Sequence, residues 1–234
     1  MPDPTIPAPY ARMARAIQEM EAAAIVCDLA QGRHQILNVG PSWGRDHYAL
    51  TAAGHRVFSL DIAVQQHLPR LTIADAARVL PFADQTFDVV LMAEVLEHIW
   101  NDFRAVHEAR RVLRDDGRLI VTVPFFHDIP EYHIRIHSPR TIHRLLSAGG
   151  FHVTDYIERG GLITYPRAIH GLRKIMTLAG KGDAVSRAVI RFDVRLGRRH
   201  SWVLHHSPAF GCYIAATKSQ VKNYTQLNAS EFAH

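Results

Sequence analysis

The chain has 234 residues, of which 47% are hydrophobic and 21% charged. That balance excludes a disordered chain and suits one α/β domain of moderate size with a small appendage. The net charge of +5 is unevenly spread: Arg159 to His200 holds ten Lys/Arg against two Asp/Glu, a local +8 that leaves −3 for the rest, so the basic character belongs to one segment, which suits a partner of its own. No apolar run approaches the roughly 20 residues needed to span a bilayer. The first residues, MPDPTIPAPYARM, place prolines where a secretory signal would carry its apolar core. Cys27 and Cys212 lie far apart and match no metal or redox spacing. The expectation is a protein of the reducing cytoplasm, with the basic segment allowing a peripheral membrane contact.

In chain order, Tyr10 to Gln31 is rich in Ala, Met, Glu and Arg, with Ile17, Met20, Ala24 and Leu29 near helical spacing, and is expected to be a helix on the domain edge. Ile36 to Val39 reads as a short apolar strand; Gly40 opens a tight turn and Gly44 follows four residues on. A helix from about Asp46 to Ala53 is stopped by Gly54, and a second strand runs from Arg56 to Asp61. LTIADAA is a short third strand ending near Asp75, LPFADQT a loop, and FDVVLMAE the fourth strand. Asn101 or Asp102 caps a helix whose expected apolar face is Phe103, Val106, Ala109 and Leu113. Asp116-Gly117 is a turn, and RLIVTVP is the fifth strand, ended by Pro124. Ser138-Pro139 reads as an N-cap with proline at the first helical position, and the helix it opens ends near Gly149-Gly150. FHVTDYIE and AFGCYIAATK are the sixth and seventh strands, and the residues from about Ser219 form a polar tail. Between those strands, Leu162 to Gly180 and Asp183 to Gly197 suggest two helices. On the second, Val185, Val189, Phe192 and Leu196 share one arc, with Arg187, Arg191, Arg195 and Arg198 opposite. Alternating strands and helices predict a Rossmann-like, seven-stranded, mostly parallel sheet with helices on both faces and a helical insertion between strands six and seven. The expected divisions are a helical segment at 1–33, a domain at 34–218 with a basic cap at 159–205, and a tail at 219–234.

A strand, a glycine turn, a helix and a second strand ending on a carboxylate is the plan of a nucleoside-cofactor site. The glycines let backbone approach the ligand, the helix N-terminus offers unpaired N–H groups, and the carboxylate meets ribose hydroxyls. A dinucleotide site wants G-x-G-x-x-G, whereas this loop has only Gly40 and Gly44 with Trp43 between them, which argues against a nicotinamide enzyme.

From about His34 to Glu158 the order of motifs resembles the class I S-adenosylmethionine-dependent methyltransferases, in particular those of ubiquinone biosynthesis and sugar O-methylation. The resemblance rests on ILNVGPSWG, VFSLD, ADAARVLPFADQTFDVVLMAEVLEHI, RVLRDDGRLIVTVP and LLSAGGF. It implies a cofactor, S-adenosylmethionine, leaving as S-adenosylhomocysteine. It also implies that Gly40, Ser42 and Gly44 hold the methionine part, Asp61 takes the ribose hydroxyls with Ile62 beside the adenine, Asp75 and Ala76 meet the adenine edge, and Glu94 lies along the cofactor. Two residues depart from the family pattern: Asn38 stands where an aspartate is usual, and Ser42 where the second loop glycine is usual. Asparagine keeps hydrogen bonding but loses the charge that complements the cofactor's ammonium.

The resemblance implies methyl transfer, with oxygen of a small molecule or glycan ahead of nitrogen or carbon as acceptor. The alternative is a catalytically silent module of the same fold. His98, just beyond strand four, is the candidate base, beside Glu97. His133, in the loop FFHDIPEYHIRIHS, is its competitor, and Tyr132 and Arg135 are expected to reach the acceptor. His133 and His137 have the four-residue spacing of a helical metal pair, but the prolines around them break a helix and no third ligand is evident, so no metal is expected. The arginine ridge suits an anionic substrate or membrane surface. Nucleic acid is disfavoured because no aromatic stacking platform accompanies the charge.

Overall fold

The computed structural model describes residues 21–65, 67–125, 133–159 and 211–219. The first part of the expected N-terminal helix, the basic insertion with its arginine ridge, Tyr132 and the tail beyond Ser219 lie outside the described residues. The elements are α1 (Glu21–Leu29), β1 (Gln35–Val39), α2 (Arg45–Ala52), β2 (Arg56–Asp61), β3 (Leu71–Ile73), β4 (Phe87–Ala93), a 3₁₀ turn (Leu96–His98), α3 (Asp102–Val112), β5 (Leu113–Pro124), α4 (Pro139–Ala148), β6 (Phe151–Arg159) and β7 (Gly211–Lys218). They form one seven-stranded sheet of order β3-β2-β1-β4-β5-β7-β6. The strands β3, β2, β1, β4 and β5 pair in parallel, and β7 is antiparallel to both β5 and β6.

Strand periodicity sorts the core into two layers. Leu37, Val39, Val90, Met92, Leu119 and Val121 pack with Ala105, Val106, Ala109 and Val112 of α3 and with Ile142 and Leu146 of α4. On the other face Ile36, Val57, Val89, Leu91 and Ile120 pack with Ile25, Val26 and Leu29 of α1 and Leu50 of α2. Helices therefore cover both faces, which is why β4 reads as an apolar run interrupted only by Asp88 near its start.

The central strands are pinned at their amino ends. The Asp88 carboxylate accepts from the backbone N–H groups of His34 at 3.1 Å and Gln35 at 2.8 Å, and from Arg114. On the opposite flank Arg111 donates to Glu108, to Asp84 and to the carbonyls of Leu80 and Phe82, while Leu80 N–H donates to Glu108. This ties the loop before β4 to α3.

Three local readings change. The buried stripe of α3 is Ala105, Val106, Ala109 and Val112, while Phe103 is 47% exposed and Leu113 already belongs to β5. The helix begins at Asp102 with Asn101 as cap, accepting from Arg104 N–H at 3.0 Å, and this start sets which residues face the sheet. The Asp116-Gly117 turn lies inside β5: pairing runs Phe87 to Leu113 and resumes at Val89 to Arg118, so the intervening residues bulge out. The third strand ends at Ile73, two residues before Asp75. The Ser138 cap is as expected, with a reciprocal Ser138–Thr141 capping box and Pro139 at the first helical position.

Burial acts to raise the Asp88 and Glu108 pKa values. The N–H groups of Gln35 and His34 with Arg114, and Arg111 with the N–H of Leu80, outweigh it and hold both carboxyls below their usual range. A carboxyl with a depressed folded pKa stabilises the fold above its unfolded pKa, about 4, and that contribution is lost as pH falls through the folded value. Thermal unfolding should therefore move to lower temperature on acidification from about pH 5 to pH 3. Asp88→Asn should be less stable than the parent at pH 7 and show a shallower acid dependence; equal slopes would exclude Asp88 as a source of acid sensitivity.

Candidate active site

The carboxyl ends of β1, β2 and β4 open into a cavity of about 840 Å³, within the usual range for a small-molecule site. At the end of β1 the chain turns sharply. Gly40 N–H donates to Leu60 O at 2.8 Å, and Gly40 has φ +63°. A β-carbon there would meet Val95 Cγ2 at 2.7 Å, so the glycine is required by both backbone and space. Ser42 holds φ +51°, the left-handed conformation that favours glycine, which explains how serine stands at this loop position without changing the turn. Gly44, at φ +91°, caps α2, and a β-carbon would meet Leu68 Cδ2 at 2.6 Å and Tyr48 Cε2 at 2.9 Å.

The expected site residues do not all reach the cavity. Gly40, Ser42, Asp61, Ile62, Asp75, Ala76, Glu94 and His98 line it. Gly44 does not, because it packs beneath the loop against Leu68 and Tyr48. Asn38 does not either: it is 1% exposed and sits within β1 between Ser59 of β2 and Leu91 of β4. Its Nδ2 has no hydrogen-bond partner among the described residues. An aspartate there would be a buried charge, so asparagine is the cheaper residue in this position.

Sequence reasoning missed Arg45 and Asp46. Both line the cavity, and Arg45 donates from Nε and Nη2 to the two carboxylate oxygens of Asp46, each at 2.9 Å. Their position at the start of the helix after a glycine loop was the available signal. Asp46 also acts on the half-buried thiol of Cys27, whose pKa burial and then Asp46 push up to about 12, away from the reactive thiolate.

The two carboxylates on the β2 and β3 side are shaped by local turns. Asp61 Oδ1 accepts from Ala63 N–H at 3.0 Å and Asp75 Oδ1 from Ala77 N–H at 2.8 Å, each leaving acceptor capacity toward the cavity rim. Ile62 beside them is 73% exposed. At the end of β4, Glu94 has φ +56° and is held there by Thr122, whose hydroxyl donates to Glu94 Oε1 at 2.7 Å and accepts from Glu94 N–H at 3.1 Å. A non-glycine residue in this region is strained, and the strain falls at the cavity wall.

Beyond Glu94 the 3₁₀ turn presents His98. Its Nε2 lies 3.9 Å from Glu97 Oε1, and its ring meets that of His133 edge-on at 4.7 Å between centroids. Both candidate bases thus come together, although 35 residues separate them in sequence. Burial, and then the neighbouring His98, push the His133 pKa below the usual histidine value, with Glu94 acting in the opposite sense.

Arg135 is not directed to an acceptor. It donates to Asp102 Oδ2 at 2.6 Å and to Trp100 O at 2.5 Å, while Ile134 N–H donates to Glu97 O at 2.9 Å. These bonds dock residues 133–137 onto the turn after β4. The segment is irregular, not helical, and His137 is buried at 3% exposure, so His133 and His137 are not a helical ligand pair.

A doubly wound sheet with a glycine turn, a carboxylate that ends β2, a second two residues past β3 and a cavity at the switch between β1 and β4 is the arrangement in which open α/β sheets bind ligands. Residues 37–121 match the family described as methyltransferase domain. Among curated proteins, one from Methanocaldococcus jannaschii that is named as uncharacterised is 30% identical over 147 residues, 62% of each chain. A Mycobacterium tuberculosis protein named as a probable S-adenosylmethionine-dependent methyltransferase is 35% identical over 92 residues, covering 36% of this chain and 33% of its own. The chain thus spans between a third and 62% of the length of these relatives. A 1,6-didemethyltoxoflavin N1-methyltransferase from Burkholderia thailandensis, crystallised with its acceptor and S-adenosylhomocysteine, superposes with TM-score 0.58 at 18% identity, over 86% of this chain and 78% of that one. A 4+2 cyclase superposes with TM-score 0.54 at 20% identity, over 85% and 82%. At these identities the structures establish the fold alone, and the cyclase shows that the fold hosts more than one chemistry. The match over residues 37–121 and the named relatives support a class I S-adenosylmethionine-dependent methyltransferase domain in this chain, a family whose cofactor is S-adenosylmethionine.

Gly40→Ala tests the loop geometry directly. The added methyl group meets Val95 in a left-handed backbone, so the variant should lose about 1–3 kcal/mol of stability by denaturant titration. Unchanged stability would mean that the loop relaxes freely.

Proposed function

We propose that this chain transfers the methyl group of S-adenosylmethionine to an oxygen of a small molecule or glycan. The observation that carries the reading is that one cavity is lined at once by the glycine turn, by Asp61 and Asp75, and by His98. The first three features suit an aminoacyl nucleoside, and the last supplies a proton acceptor where an acceptor hydroxyl would enter. The cavity fits the cofactor in size and in donor set. Gly40 and Ser42 would hold the methionine part by backbone approach. Arg45 and Asp46 bring both signs of charge to the same end, matching a carboxylate and an ammonium, and Asp46 offers at the cavity the negative charge that Asn38 lacks. Asp61 would accept from the ribose hydroxyls, Asp75 from the adenine amino group, and Ile62 and Ala76 would cover the adenine faces. Glu94, fixed by Thr122, would border the sulfonium side.

When bound, S-adenosylmethionine supplies an already activated methyl group, whose bond to sulfur breaks toward sulfur as the bond to the acceptor oxygen forms. The protein's tasks are to align that oxygen and to receive its proton. His98 stands at the cavity wall for this, with His133 edge-on behind it. Trp43 and Trp100, 49% and 80% exposed, border the same opening and favour an acceptor with apolar or ring surface.

Paired variants separate binding from chemistry. Asp61→Ala should weaken S-adenosylhomocysteine by about 1–3 kcal/mol in calorimetry, the scale of a hydrogen bond to a charged group. His98→Ala should leave that affinity intact while lowering turnover by about 10²–10⁴-fold, the usual contribution of an acid–base group. The acceptor itself is found by incubating extracts with methyl-labelled cofactor and following the label by mass spectrometry. Weak S-adenosylmethionine binding in calorimetry, with no labelled product, would instead support a silent module whose cofactor site Asn38 and Ser42 weaken.

The sequence also supports an anionic partner for the basic segment. Arg187, Arg191, Arg195 and Arg198 recur on one side at helical pitch, within a stretch of local charge +8. Binding to vesicles containing anionic lipid, or to a phosphorylated glycan, should weaken with added salt, because screening acts within about 10 Å at 0.1 M. Retention of both binding and turnover by the four-alanine variant would reduce the ridge to a solvated face.

A further inference from the structure

The rim where His98 meets His133 is more than a pair of candidate bases. One ligand atom each from Glu97, His98 and His133 lies within 4.8 Å of the other two. We propose that these three side chains bind one divalent transition-metal ion at the acceptor edge of the cavity. The inference rests on the methyltransferase reading only for its catalytic consequence, and not for the site itself.

Distance comes first. Ligands held about 2.0–2.1 Å from one ion at tetrahedral angles stand about 3.4 Å apart. From separations of at most 4.8 Å the closing movement is about 1.4 Å, within reach of side-chain rotation. The Glu97 to His98 separation of 3.9 Å is within about 0.5 Å of this spacing while being too long for a hydrogen bond.

The scaffold comes second. Glu97 and His98 are consecutive in a 3₁₀ turn rooted on β4. His133 is brought to them by bonds that use none of the three ligating side chains: Ile134 and Arg135 N–H donate to the Glu97 carbonyl, and the Arg135 guanidinium donates to Asp102 and Trp100 O. The cluster is thus assembled by the fold before any ion arrives. His137, the partner that sequence spacing suggested for His133, is buried and is not one of the three.

The donor set comes third. Two imidazoles and a carboxylate suit Zn²⁺, Co²⁺, Mn²⁺ or Fe²⁺ better than Mg²⁺ or Ca²⁺, which prefer oxygen alone. Three protein ligands leave positions open, as a catalytic site requires and a purely structural site does not. The charge arrangement agrees, with the Glu97 side chain 1% exposed and His98 36% exposed. A buried carboxylate beneath two outward imidazoles offers a cation its strongest attraction at the inner end.

His98 lines the cavity, so the ion would stand at its wall. An acceptor hydroxyl approaching the ion loses its proton to solvent more readily, and the freed lone pair forms the oxygen–methyl bond described above while the ion keeps its oxidation state. The His98 imidazole then acts as a ligand and not as the base itself.

The test uses the untagged full chain, stripped with chelator and titrated with CoCl₂ by calorimetry and visible absorption. One equivalent of Co²⁺ should bind with ligand-field bands. His98→Ala and His133→Ala should each weaken it by at least about tenfold, the double variant more so, as loss of a ligand predicts. Circular dichroism should show all three variants folded, and their S-adenosylhomocysteine affinity should stay within about twofold of the parent. Absence of saturable Co²⁺ binding, or undiminished binding by the double variant, overturns the proposal. If the parent binds Co²⁺ but not S-adenosylhomocysteine, it is the cofactor reading that fails and the metal site that stands. Turnover that persists unchanged in chelator overturns the ion's catalytic part and returns the proton to His98.

Discussion

The site depends on β1 and β4 ending level with each other, and that is decided at their far ends. Asp88 sits at the start of β4 and takes the N–H groups that open β1, with Arg114 completing its shell. With the register set there, Ile36 pairs with Val89 and Val39 with Met92. Gly40 and Glu94 therefore emerge at the same edge. A slip of one residue would turn each strand over and send the Leu37 and Val39 face out of its core. One carboxylate, held ionised by its donors, thus positions both halves of a cavity more than a strand's length away.

Around this fixed edge stand two of the four described non-glycine residues with positive φ. Gly40, Ser42 and Glu94 all have positive φ, and all three line the cavity. Only the first is a glycine. The other two are retained in a costly conformation by surroundings that over-determine it: the tight turn into α2 for Ser42, and the Thr122 hydroxyl and carbonyl for Glu94. Rigid placement of polar groups suits the proposed methyl transfer, which asks for orientation more than for a strong chemical group.

The acceptor edge is built differently. It relies on a long connection after β5, whose end returns to the turn after β4 and is fastened by backbone donors and by Arg135. Arginine at this point serves the architecture by bracing Asp102 and the Trp100 carbonyl, and the histidines it brings together are those proposed to carry the chemistry. Fold likeness to both a methyltransferase and a cyclase fits such a division. The sheet and glycine turn can stay constant while the elements at the rim choose the reaction.

The sequence by itself determined the order of elements, the mostly parallel sheet, the glycine turn, the aspartate that ends β2 and the capping of α4, because each of these is written in local periodicity or in a turn residue's own dihedral preference. It also carried the resemblance to a methyltransferase domain, through a run of motifs whose spacing is set by one βαβ unit after another. Tertiary structure alone decided which of those residues reach the cavity. Asn38 and Gly44 belong to the right segment yet face the sheet and the packed side of α2, while Arg45 and Asp46 face the ligand space, since direction depends on how α2 lies on the strands. It alone also brought His133 to His98 and Glu97 and turned Arg135 away. Those pairings join residues tens of positions apart, and their distance is fixed by the docking of one loop on another, for which no local signal exists.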